Sequence, residues 1–424
     1  MENFKGKKLL VLGGAAYHAK LVEAANRMGV HTIVADYLEP EESPAKQLAK
    51  EHWLVSITDI DLLESLCRDA KVDGVLNMCI DPAQRPYSQL AERLNLPCYG
   101  TPEQFFIMTD KHAFKEFCMG HNIDVIPEYS EEELLNGKVP LPVMIKPIDS
   151  RGSRGQTVVF EKKDIAAALE FAKSESSNGE VMVEKFMGNH QDFSMTYFVV
   201  NGTPYLTRVC DRYVGKPEDN LNKQCVGCVA PSKYADFYLE NVHNRMVEFI
   251  KALGIVNGPV FMQGFIDGDT VRFYDPGLRC PGGEYEKLLR ETTGADAMSL
   301  LVEFALTGEI KEPIGFNHQL YLLGGHHTIQ LPITARGGVI GEMKGLSEIA
   351  ENPYITTVIK RYEVGDTVPS SGDVRQRICE FALITDEKTT VKNEVEWIFS
   401  KLSVLDSQGE NMLVSLVDTN KLDY

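Results

Sequence analysis

The sequence predicts a mixed α/β and α+β protein: a doubly wound parallel sheet over about the first hundred residues, then an α+β region, then a β-rich tail. Three observations carry this. Short apolar runs alternate with helical periodicity from Lys7 to Tyr99, the signature of strand–helix–strand units. Between Gly100 and Thr307, helices are mixed with strands and an evident hairpin. Beyond Thr307, the strand-like runs Thr328–Thr334 and Gly338–Met343 and the turn-rich run Tyr362–Val368 dominate.

The first strand is Lys7–Leu12, closed by the tight turn Gly13-Gly14. A helix follows, with Leu21, Ala24, Ala25 and Met28 on one face and Gly29 as its stop. His31–Ala35 is a second strand, Asp61–Cys67 a helix, Gly74–Met78 a strand and Tyr87–Leu94 a helix. The stretch 110–130 reads as helical up to Pro127, followed by the strand Pro142–Pro147. The loop Ser150–Gly155 leads to the strand Thr157–Phe160, the amphipathic helix Asp164–Lys173, and the strands Glu180–Phe186 and Phe193–Val200. Val242–Leu253 and Lys392–Leu402 complete the helices. Three regions are expected: 1–100, 101–310 (with a smaller lobe at about 140–200) and 311–424.

Composition narrows the function. The 424 residues are 43% apolar and 25% charged, ordinary for a globular protein. A net charge of −18 argues against a nucleic-acid partner, which needs a basic face. No apolar run has the length of a membrane helix and no leader pattern opens the chain, so a cytoplasmic protein without a membrane partner is expected. Nine scattered cysteines have no framework spacing and read as reduced thiols. The one CxxC, Cys225–Cys228, lacks the second ligand pair a zinc site requires. Gly13-Gly14 lacks the later glycines of a dinucleotide fingerprint, which leaves a nicotinamide oxidoreductase poorly supported.

The chemistry points to a phosphate site. In Gln263–Arg279, the turn Asp267-Gly268-Asp269 separates two strand-like halves. Such a hairpin brings Gln263 and Asp275 together, and alternation places Val271, Phe273 and Asp275 on one face. Oxygen ligands beside Arg279 suit magnesium and phosphate. Upstream, Lys146 ends a strand just before a loop containing Ser150, Gly152, Ser153 and Gly155, whose backbone donors suit phosphate oxygens. Lys111 opens a helix that Thr109 or Asp110 can cap. Arg85, Arg208 and Arg212 are candidates to hold a substrate carboxylate.

In this order the motifs resemble the ATP-grasp superfamily over nearly the whole chain, with the layout of biotin carboxylase and carbamoyl phosphate synthetase-like carboxylate–amine ligases. The resemblance implies an ATP-grasp fold: an N-terminal preATP-grasp (Rossmann-like) domain, a central ATP-grasp α+β domain and a C-terminal β-rich domain. It implies that Lys111 and Lys146 bind nucleotide phosphates and that Ser150–Gly155 closes over them. Glu184, with Lys185, Phe186 and Met187, stands at the adenine hinge, and Asp192 where a ribose-binding glutamate is usual. Gln263 and Asp275 take the two metal positions, and Arg279 the position that stabilises the reacting carboxylate–phosphate. Three positions depart from the pattern: Gln263 replaces a glutamate, Asp275 is a shorter carboxylate, and Gly277 replaces an asparagine. The implied reaction is ATP-dependent joining of a small carboxylate to an amine through an acyl phosphate, with ATP and Mg²⁺ as cofactors. A homodimer is compatible with the resemblance. The alternative is a nucleotide-binding paralogue without ligase activity, acting as a sensor or regulator.

Overall fold

The computed structural model describes residues 4–148, 155–216, 219, 221 and 224–424. The expected loop positions Ser150, Gly152 and Ser153 lie outside the described residues. The N-terminal sheet holds β1 (Lys8–Leu12), β2 (His31–Asp36), β3 (Glu51–Leu54) and β4 (Gly74–Leu76) in the order β3-β2-β1-β4, with every pair parallel. The apolar run of β1 is buried on both faces, as central parallel strands require. β3 gives no strand signal in the sequence because EHWL is a half-exposed edge strand without an apolar stripe.

A small antiparallel sheet holds β5 (Glu128–Tyr129), β6 (Val143–Pro147), β7 (Thr157–Val159) and β8 (Val181–Lys185), ordered β5-β8-β6-β7. The helix expected over 110–130 runs only from Lys111 to Gly120. Asn122 then adopts φ +56, and the Ile123 amide donates back to Cys118 O, so the chain turns out of the helix and forms β5. This lobe has its own apolar core, including Val143, Ile145, Leu169 and Val183.

The large sheet contains β9 (Asp192–Val200), β10 (Thr203–Val214), β11 (Cys225–Ala230), β12 (Gly258–Asp267), β13 (Thr270–Gly277) and β14 (His327–Ala335). After these come β15 (Gly338–Lys344), β16 (Ile355–Lys360), β17 (Thr367–Val368), β18 (Arg377–Thr385), β19 (Ser403–Asp406) and β20 (Leu413–Val414). The main path is β13-β12-β9-β10-β11-β14-β18-β16, with β20 paired to β14. β15, β17 and β19 make a separate three-stranded sheet. The large sheet thus continues through residue 310, because β14 pairs with β11. Its far end rests on a distinct core that includes Ile329, Leu331, Phe381 and Val395. The rest of the sheet shares one core with the N-terminal sheet. Among the described residues, no helix is long and apolar enough to cross a membrane.

Candidate active site

Strand register builds the floor of the site. β9 pairs with β10 through Asp192↔Arg212, Ser194↔Cys210 and Thr196↔Arg208. β12 adds Gln263 opposite Ser194, and β13 adds Asp275 opposite Gln263. Alternate residues of a strand share a face, so these polar side chains lie on one side of the sheet. The hairpin therefore pairs Gln263 with Asp275 as its sequence implies.

One expectation about the hairpin fails. Val271 and Phe273 do not share a face with Asp275, because the register shifts between Gln263 and Gly264. Tyr274 is the extra residue of that bulge, and an extra residue reverses the alternation beyond it. Val271 and Phe273 are fully buried in the core, while Asp275 reaches solvent on the other side.

Tyr274 and Arg212 tie the floor together. Arg212 Nη1 donates to Asp192 Oδ2 at 2.8 Å, to Gln263 Oε1 at 2.7 Å and to the Tyr274 hydroxyl at 2.9 Å. The Tyr274 hydroxyl donates to Gln263 Oε1 at 2.9 Å. Burial pushes the Asp192 carboxyl up, with Arg212 opposing. Two donors, one of them cationic, thus engage the Gln263 carbonyl oxygen. In this arrangement that oxygen is not presented to a divalent cation, since a guanidinium already occupies its negative end. Among the described residues, no cluster of three His, Cys, Asp or Glu side chains suits a metal. Asp275 is the carboxylate open to the cleft. Burial among protein groups and the nearby Asp81 raise it, while Arg279, Arg212 and Lys146 lower it. A single carboxylate with shared phosphates is a recognised Mg²⁺ arrangement.

Arg279 leaves the sheet just beyond β13. Its guanidinium forks onto Asp81, with Nε to Oδ1 at 2.5 Å and Nη2 to Oδ2 at 3.4 Å, and lies over the Phe261 ring. Asp81 comes from the N-terminal region after β4, so this pair joins that region to the large sheet. Gly277 explains how Arg279 reaches it. A Cβ at Gly277 would meet Arg279 Cγ at 3.1 Å and Nε at 3.3 Å. Gly277→Asn is therefore expected to push Arg279 off Asp81 without unfolding the chain. Misplacing a reacting group by about 1 Å costs up to about 10²-fold in rate; kinetics of the variant beside its melting curve test this, and unchanged turnover would contradict it.

Two lysines converge here, Lys146 from the small lobe and Lys115 from the helix Lys111–Gly120, which packs into the main core. Lys146 on β6 pairs with Glu184 on β8, diagonal neighbours in the register. Lys115 binds the other oxygen of Glu184 at 2.6 Å, and also Glu128 at 2.9 Å. Burial would raise the Glu184 carboxyl, but Lys146 and Lys115 together hold it below its ordinary range. Lys111 lies one helical turn before Lys115, on the same face, and donates to Pro147 O at 3.2 Å. Asp110 caps this helix by accepting from the His112 and Ala113 amides, whereas the Thr109 hydroxyl turns back to Phe105 O.

At the expected adenine hinge, the Glu184 side chain is committed to the two lysines. The Lys185 amide donates to Pro127 O, the Phe186 amide to Pro142 O, and Met187 O accepts from the His190 amide. Gly155 has φ +71 and packs against Pro147. Arg208 is buried beside Cys228, and Arg85 is exposed. Sequence reading missed Lys115 and Tyr274. The spacing of Lys115 four residues after Lys111 was the available signal for the first; the Tyr274 bulge leaves no trace in the alternation.

Glu286, in the first turn of the helix Tyr285–Thr293, is buried with no hydrogen-bond partner on either oxygen among the described residues. Burial pushes its carboxyl from 4.5 up to about 8. An acid with a raised pKa in the folded state favours the fold in its protonated form, so stability falls as pH rises between these values. Glu286→Gln is expected to remove this slope, a gain of up to about 3 kcal/mol at pH 7. Urea midpoints of both proteins across pH 4 to 9 check it, and parallel pH curves would contradict it.

Residues 110–273 match the family described as "Carbamoyl-phosphate synthase L chain, ATP binding domain". Over 275 residues the chain is 24% identical to a formate-dependent phosphoribosylglycinamide formyltransferase of Prochlorococcus marinus, covering 63% of this chain and 69% of that protein. Against a protein of the same name from Francisella tularensis, the match is 26% identical and covers 47% of this chain and 52% of the relative. The fold superposes on an L-amino acid ligase from Bacillus licheniformis with a TM-score of 0.75 at 16% identity, covering 95% and 99% of the two chains. It also superposes on the biotin carboxylase domain dimer of Hydrogenobacter thermophilus 2-oxoglutarate carboxylase, solved with MgADP and bicarbonate (TM-score 0.74, 16% identity, 96% and 91% covered). Parallel N-terminal sheet, small lysine-bearing lobe and large antiparallel sheet together are the ATP-grasp fold, and residues 110–273 carry the match to its ATP-binding domain.

Proposed function

We propose that the chain is an ATP-dependent ligase that activates a small carboxylate as an acyl phosphate and joins it to an amine, releasing ADP and phosphate. One observation carries the reading. Lys111 Nζ donates at 3.2 Å to the carbonyl of Pro147, the residue after Lys146, so the two lysines meet at one end of β6. Two ammonium groups held together at one strand end suit a nucleotide triphosphate. The ATP-binding family match and the ligase-like fold support the same reading.

The chemistry follows from the groups present. A substrate carboxylate oxygen attacks the γ-phosphorus of ATP, and ADP leaves. Lys146 and Lys111 spread the charge that develops on the phosphoryl oxygens. Asp275 would hold Mg²⁺, which when bound neutralises phosphate charge. The amine then attacks the acyl carbon and phosphate departs, with Arg279 placed to stabilise the oxyanion. Glu184 fixes Lys146 so that the ammonium is in place before substrate arrives. Homodimer formation is part of this proposal, supported by the dimer of the biotin carboxylase domain that shares the fold.

The test is ADP release from Mg-ATP with a pooled panel of small carboxylic acids and amines, deconvoluted to single pairs. Release that depends on both an acid and an amine supports a ligase. Nucleotide binding without release by any pair would sink it.

A further inference from the structure

The CxxC of this chain is not its thiol pair. Cys225 and Cys228 stand opposite Val214 and Arg212, on one face because Val226 is the extra residue of a bulge, yet they are not bonded to each other. The Cys225 thiol instead bonds Gly227 O at 3.3 Å. The close pair is Cys228 on β11 with Cys210 on the neighbouring β10. Their sulfurs lie 2.9 Å apart, within hydrogen-bond reach. The register explains it: Cys228 stands opposite Arg212 and Cys210 lies two residues before it, a diagonal pair on one face.

The surroundings favour one thiolate in this pair. Ser194 Oγ lies 2.8 Å from Cys210 Sγ, and Arg208 Nη2 donates to Cys228 Sγ at 2.8 Å. Arg208 is buried, and that thiol is the one hydrogen-bond partner of its side chain among the described residues. A buried guanidinium needs an anion, and the adjacent sulfurs supply it. Burial opposes ionisation of Cys210, but the Cys228 thiol and Ser194 hydroxyl beside it and the nearby Arg208 and Arg212 draw its thiol down. A water-sized void of about 10 Å³, lined by Arg208, Thr207, Tyr285 and Thr328 among others, lies beside this cluster.

We propose that Cys210 and Cys228 form an oxidation site that closes to an intramolecular disulfide with peroxide-class oxidants. The Cys210 thiolate attacks one peroxide oxygen, the O–O bond breaks, and hydroxide leaves with the electron pair. The sulfenic acid formed is then attacked by Cys228, whose proton leaves with the hydroxyl as water. In sum, two thiols and one hydrogen peroxide give one disulfide and two waters. The site is independent of the ligase reading, since it needs no nucleotide.

The test uses the intact reduced protein. It is exposed to hydrogen peroxide at pH 7, quenched by alkylation and mapped by mass spectrometry without reduction. The expected product is a peptide joined through Cys210 and Cys228, formed before the other seven cysteines change and reversed by dithiothreitol. Arg208→Met is expected to slow its formation about tenfold or more at pH 7, because less of the pair is thiolate. Recovery of both cysteines as alkylated thiols while others oxidise would overturn the proposal. So would a disulfide joining Cys228 to Cys225. Should the arginine variant fail to fold, the map of the wild-type protein decides alone.

Discussion

Lys146→Ala lowers ADP formation by about 10²–10³-fold, the usual cost of deleting one preorganised electrostatic donor. The lysine is 8% exposed and held by Glu184, so its ammonium occupies one place rather than sampling many. Fixed charge is what makes such a donor effective, because little reorganisation is needed as charge develops. The loss should appear in kcat as well as in KM, since the phosphoryl charge peaks in the transition state. The fold should survive, because Lys115 still pairs with Glu184. Lys146→Arg should not rescue activity: a larger planar guanidinium does not place its charge where the compact ammonium sits. Steady-state kinetics with melting curves check this, and a variant within threefold of wild type would contradict the assignment.

Glu184→Ala is expected to have the largest effect on stability. The carboxylate sits between Lys146 and Lys115, both buried. Its removal leaves Lys146 without that partner and Lys115 with Glu128. Breaking a buried pair by deleting one member costs about 3–5 kcal/mol. The damage should concentrate in the small lobe, which has its own core and can open separately from the large sheet. Hydrogen exchange of β6 and β8 amides is the measurement, with faster exchange expected there and little change in β12. Sign also matters. The Glu184 pKa is depressed in the fold, so its contribution is present above the unfolded value and is lost as pH falls through the folded one. Variant and wild type should therefore converge in acid. Equal protection at pH 7 would contradict the pairing.

How much of this was legible in the sequence depended on where function interrupts pattern. β1, β2 and β12 were readable because their apolar runs serve only the core. β10 was not, because its interior carries Arg208, Cys210, Asp211 and Arg212, which break the alternation that identifies a strand. Arg208, Cys210 and Arg212, which hid the strand, lie on the face of the site floor, while Asp211 on the other face holds Ser232 and Tyr424. The hairpin pairing of Gln263 with Asp275 was readable from the Asp-Gly turn, but its faces were not, since a single-residue bulge leaves no compositional mark. Gly277 illustrates the same limit. As a departure from a motif it looks like a lost ligand, whereas the structure shows it making room for Arg279. Likewise Gln263 reads as a weak metal ligand, yet its oxygen is the acceptor that holds Arg212 and Tyr274 in place.

A crystal structure with Mg²⁺ and a non-hydrolysable ATP analogue would probe the whole proposal at its root. The triphosphate should lie between Lys111, Lys146 of the small lobe and Asp275 of the hairpin, with Asp275 in the metal shell. A nucleotide seated elsewhere, or a cleft in which Lys146 keeps only Glu184 and touches no phosphate, would contradict it.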